Sequence, residues 1–145
     1  MKDSLVGESY HPISPADFDW SSWVGFPYQK FGRGPLAYDC WGLVCAVIQA
    51  GLGVTLPAFL DYSPANIPDA ISEYSQLDHW SLAQGVLKPW DVVIFTTAND
   101  PHHVGVVCAP GQFLHLARES ESMIERLTSR RWARRIEGGY RYDLL

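Results

Sequence analysis

The sequence predicts an α+β fold, and three observations carry that reading. Residues 40–50 (CWGLVCAVIQA) form one apolar run with a good helix N-cap, Asp39, just before it. The second half changes period to short β-rich runs: DVVIFTT at 91–97, HVGVVC at 103–108 and QFLHLA at 112–117. Helical segments first and clustered strands afterwards match a helix packed on an antiparallel sheet, not an alternating α/β chain.

The elements follow in order. The first 40 residues are rich in Pro, Gly, Ser and aromatics, which predicts irregular structure with a short helix at 14–23. The helix at 40–50 starts on Asp39 and stops at Gly51. Only Gln49 in it is strongly polar, so it should be buried nearly all round. Pro57, Pro64, Pro68 and Pro89 break up the following stretch, and a helix is expected around 68–76. Ala109-Pro110-Gly111 has turn chemistry and joins two strands. Further strands are expected at 122–127 and 139–143, with a short helix near 129–135 between them.

At 145 residues the chain is read as one domain, 1–145. Hydrophobic residues make up 47% and charged residues 19%, ordinary for a protein with a single buried core. Six Trp and seven Tyr are many for this length, and core filling accounts for most of them. Residues 1–117 hold 11 acids and 4 bases, whereas 118–145 hold 5 acids and 7 bases. Only the stretch from Arg126 to Arg135 approaches a basic patch, and Glu125 and Glu137 flank it, so nucleic acid is not an expected partner. No apolar run reaches the roughly 18 residues of a membrane span. The N-terminal MKDSLVGESYHP lacks a signal-peptide hydrophobic region, so synthesis in the cytosol without an export address is expected. Three Cys cannot complete a disulfide framework, and reduced thiols are the natural reading.

Cys40 is the sharpest chemical feature. It opens the predicted helix, where unpaired N–H groups and the helix dipole favour an anion and so a reactive thiolate. Cys45 lies about 140° around the same helix and faces elsewhere. Cys108 stands at odd spacing from His103 on one strand and points to the opposite sheet face. A three-residue loop at 109–111 would pair Cys108 with Gln112. It would then set His115 opposite Gly105, diagonal to His103 and within side-chain reach. A helix-start Cys, a strand His and a second His to orient the first form the activated-nucleophile arrangement. The competing use of the same residues is zinc held by Cys40, His103 and His115, but no compact ligand pair supports it; no metal or cofactor is expected.

Tyr-Asp-Cys-Trp-Gly-Leu-Val at 38–44, Asp-Val-Val-Ile-Phe at 91–95, His-Val-Gly-Val-Val at 103–107 and Gly-Gln-Phe-Leu-His at 111–115 resemble the NlpC-type cell-wall cysteine peptidases. The likeness runs in order from about Tyr28 to His115. It implies a papain-like α+β fold and hydrolysis of peptidoglycan stem peptides, typically between γ-D-glutamate and diaminopimelate. It also implies roles. Cys40 is the nucleophile, His103 the base and His115 its orienter. Tyr28 lies near the oxyanion, and Asp39 binds a substrate amino group. The family usually has Ser where this chain has Trp41, which makes Trp41 a candidate wall of the substrate cleft, with burial in the core of this apolar helix as the competing reading. Trp41 and the Gly-Gly-Tyr-Arg-Tyr segment at 138–142 look like the phage-borne branch, whose partners are phage tail proteins. Two rivals remain open: a non-catalytic tail-assembly or tail-tip protein, and another thiol acyl-transfer enzyme such as an amidase or acyltransferase, since one triad serves any acyl transfer.

Overall fold

The computed structural model describes residues 12–56, 79–97 and 103–143, and among these one α-helix packs on a six-stranded antiparallel sheet. The helix is α1, Cys40–Leu52. The strands are β1 (Trp80–Leu82), β2 (Val92–Phe95), β3 (His103–Ala109), β4 (Gln112–His115), β5 (Met123–Arg126) and β6 (Ile136–Tyr142). Their spatial order is β1-β6-β2-β3-β4-β5, and every neighbouring pair is antiparallel. The expected α+β class is the one observed. The helix expected near 68–76 lies outside the described residues.

The ends of α1 explain its span. The Asp39 side chain accepts a hydrogen bond from the Gly42 N–H at 2.7 Å, capping one of the helix's unpaired donors. The helix runs past the predicted stop at Gly51 and ends on Gly53, whose left-handed φ of 71° closes it. Gly51 has a different reason to lack a side chain. A Cβ there would stand 1.9 Å from the Trp90 ring. The N-terminal helix shrinks from the predicted span to a 3₁₀ turn at Trp20–Trp23, and the one near 129–135 to Ala133–Arg135.

Both faces of the central sheet are covered, which is why β2 and β3 read as unbroken apolar runs instead of alternating. On one face Val92, Ile94, Val104, Val106 and Leu114 pack with Trp41, Leu43, Val47 and Ile48 of α1. On the other face Val93, Phe95, Val107 and Phe113 pack with Leu127 and Trp132. Asp91, fully buried, accepts from Arg141 through both carboxylate oxygens at 2.9 and 2.8 Å and so pins the start of β2 to β6.

The β3–β4 turn differs in detail from the expected three-residue loop. Ala109, not Cys108, pairs with Gln112, and Cys108 is taken up in a bulge between Val107 and Ala109. Pro110-Gly111 makes the turn itself, with Gly111 at φ 75°. The extra residue and the shorter loop cancel, so Gly105 still faces His115.

Candidate active site

The site is built where β3 and β4 bring two imidazoles together. His103 opens β3, and His115 closes β4. Gly105 lies opposite His115, which places His103 on the diagonal. Their rings meet through a hydrogen bond of 2.7 Å between His103 Nε2 and His115 Nδ1. Gly105 makes room for it. A Cβ at that position would stand 2.9 Å from the Leu114 carbonyl oxygen and 3.1 Å from the His115 Cβ.

The pair is enclosed by aromatic rings. Trp132 stacks on His103 with centroids 5.4 Å apart and meets His115 edge-on at 4.9 Å. Phe95 and Phe113 close the same side. His103 and His115 are each 1% exposed. Burial, with help from the charges of His103 and Arg131, pushes the His115 pKa down to about 2. His115 is therefore a neutral hydrogen-bonding ring at physiological pH.

A further contact extends the pair. His115 Nε2 lies 2.5 Å from Glu125 Oε2. Glu125 pairs with Phe113 across β4 and β5, so it shares the face of His115 and sits diagonal to it. The carboxylate favours a charged imidazole, but it is one partly exposed group opposed first by burial and also by the neighbouring His103 and Arg131. We therefore read the contact as a hydrogen bond to a neutral ring. Glu125 was not among the residues singled out from the sequence. The signal was its parity in the predicted strand at 122–127, which needed the β4–β5 register to become readable.

Cys40 is the first residue of α1 and is 3% exposed. It belongs to the helix-side core, whereas the histidines lie on the other sheet face, so the ends of the elements decide its placement. The far end of α1, at Gly51, lies against Trp90, and the Trp90 N–H bonds the Val107 carbonyl near the far end of β3. α1 packs against β3, with its Gly51 end toward the Val107 end of that strand.

The other expected residues divide. Tyr28 forms a bridge with Tyr38, two residues before Cys40, and its N–H bonds the Ser120 carbonyl at 3.2 Å. Asp39 is 1% exposed, and its Oδ1 also takes Arg33 at 2.8 Å, so the geometry shows the cap and an ion pair. Trp41 is the correction. It is 1% exposed and lies within the helix-side core, so its ring offers no face to a ligand and does not wall a cleft. The apolar surroundings of α1 claim it, as they claim Leu43 and Val44. Burial pushes the Cys45 thiol up to about 12 and the Cys108 thiol up to about 11, which keeps both protonated. Cys108 lines a cavity of about 450 Å³ with Pro15, Trp20 and Pro89, away from the histidines. Among the described residues no group of three or more His, Cys, Asp or Glu is arranged to hold a metal.

The sequence model of the NlpC/P60 family matches residues 25–141. The chain belongs to the NlpC/P60 family. It is 29% identical over 130 residues to the gamma-DL-glutamyl hydrolase of Bacillus subtilis, covering 85% of this chain and 28% of that protein. It is 25% identical over 117 residues to the murein DD-endopeptidase MepS/murein LD-carboxypeptidase of Escherichia coli, covering 80% and 55%. The chain thus spans about a quarter to a half of the length of these relatives. An NlpC/P60 family protein from Bacillus cereus superposes with a TM-score of 0.68 at 18% identity, over 92% of this chain and 42% of that one. The P60 domain of an antigen from M. avium subspecies paratuberculosis gives a TM-score of 0.55 at 19% identity, over 85% and 88%. These likenesses support the papain-like α+β fold.

Proposed function

We propose that this protein is a cysteine peptidase that hydrolyses peptidoglycan stem peptides, with Cys40 as nucleophile and His103 as base. The observation that carries this reading is the buried 2.7 Å bond between His103 Nε2 and His115 Nδ1 at the start of β3, the strand against which the helix opened by Cys40 packs. That bond occupies Nε2 of His103, which leaves Nδ1 as the nitrogen available to face the thiol. The resulting thiolate attacks the peptide carbonyl carbon, and the C–N bond breaks as His103 returns the proton to the leaving amine. Water then attacks the thioester, giving its proton to His103, and the thiolate leaves. The Cys40 N–H at the helix start and the Tyr28 hydroxyl, carried beside Tyr38, are assigned to the oxyanion.

We assign the bond between γ-D-glutamate and diaminopimelate. The name of the B. subtilis relative supports a γ-glutamyl bond, whereas that of the E. coli relative points to DD and LD bonds. Phage tail proteins are the proposed partners, on the strength of Trp41 and the segment at 138–142. Purified peptidoglycan incubated with wild type and with Cys40→Ala, followed by mass spectrometry of released fragments, tests the activity. New amino termini on diaminopimelate from wild type alone are expected. Soluble fragments from neither protein would overturn the peptidase reading.

A further inference from the structure

We propose that Glu125 is a positioning residue that sets the tautomers of both histidines and so decides which nitrogen of His103 is basic. This rests on the peptidase reading above. A carboxylate can only accept a hydrogen bond, so the 2.5 Å contact requires the proton of His115 on Nε2. A neutral imidazole carries one N–H, so His115 Nδ1 is then an acceptor. Its 2.7 Å partner, His103 Nε2, must donate to it. The lone pair of a neutral His103 is therefore on Nδ1, the nitrogen that takes the thiol proton.

The reverse network has the same number of bonds between the rings. With its proton on Nδ1, His115 would donate to His103 Nε2, and His103 would hold its own proton on Nδ1. A base protonated at that nitrogen cannot take one from Cys40. The aromatic rings around the pair hold its planes but do not distinguish the two networks. The carboxylate does, from two rings away. A low His115 pKa is consistent with this arrangement, because a neutral ring has a tautomer to be chosen. The placement also suits a test, since Glu125 lies on edge strand β5 with its side chain 23% exposed, and truncating it leaves the core intact.

The experiment compares wild type, Glu125→Ala and Glu125→Gln by imidazole ¹⁵N spectra and by steady-state hydrolysis of a stem peptide. In wild type both histidines should carry their proton on Nε2. In Glu125→Ala the His115 spectrum should move toward the Nδ1-protonated form. Its kcat should fall about 10–100-fold, by analogy with the carboxylates that orient metal-bound histidines, with KM held. Glu125→Gln, whose amide oxygen accepts the same bond, should recover most of that loss. Unchanged imidazole spectra in Glu125→Ala would overturn the proposal, as would an unchanged kcat. The spectra need no substrate. If wild type itself hydrolyses no stem peptide, the peptidase reading fails while the tautomer result still decides the role of Glu125.

Discussion

His115 stands directly opposite Gly105 across the β3–β4 ladder and reaches past it to His103 on the diagonal. A Cβ at 105 would press on the strand that carries His115, meeting the Leu114 carbonyl oxygen at 2.9 Å and the His115 Cβ at 3.1 Å. Gly105→Ala should therefore disturb the pair. Because sub-ångström misplacement of catalytic groups is expensive, we expect kcat to fall about tenfold or more. Steady-state kinetics on a stem peptide check this. Wild-type kcat in a folded Gly105→Ala protein would show that the close approach has no functional consequence.

Trp41 gives a prediction about stability. As a core ring, its truncation to Ala should cost about 3–5 kcal/mol in urea unfolding. The molecules that remain folded should cleave the same bonds as wild type. A small stability loss with an altered cleavage profile would return Trp41 to the cleft.

His115 gives a prediction about pH. Its pKa is lowered on folding from about 6.5 to about 2, so between those values the unfolded chain binds a proton that the folded chain refuses. The contribution is fully present above pH 6.5 and is lost as pH falls below it, by up to about 1.4 kcal/mol per pH unit. Urea midpoints at pH 7.5 and 5.5 should therefore fall more steeply for wild type than for His115→Asn. Equal slopes would mean that the folded ring takes up its proton as readily as the unfolded one, against the lowered pKa.

Much of this was legible in the sequence, because the strongest signals are local. Asp39 and the apolar run after it mark α1, and the β-rich runs mark β2, β3 and β4. The pairing of Gly105 with His115 followed from strand parity even though the turn was drawn one residue too long, since the bulge at Cys108 compensated. What stayed hidden depends on non-local contact. Trp41 could be read as cleft wall or as core, and the apolar run around it, which foretold a helix buried nearly all round, was the better guide. β1 is only Trp80–Leu82 and exists through its pairing with β6. Glu125 and Trp132 become visible only once β5 and the segment after it are laid against the histidines.

The central claim is that Cys40 is the activated thiol and His103 activates it, and timed alkylation tests it most directly. Part of Cys45 reaches the surface while Cys40 is 3% exposed, so simple accessibility would label Cys45 first. Thiolate chemistry reverses that order, because burial holds the Cys45 and Cys108 thiols at about 12 and about 11. Iodoacetamide at neutral pH, followed by peptide mapping, should modify Cys40 first in wild type and much more slowly in His103→Ala. Labelling that begins at Cys45 or Cys108, or a Cys40 rate indifferent to His103→Ala, would contradict the account.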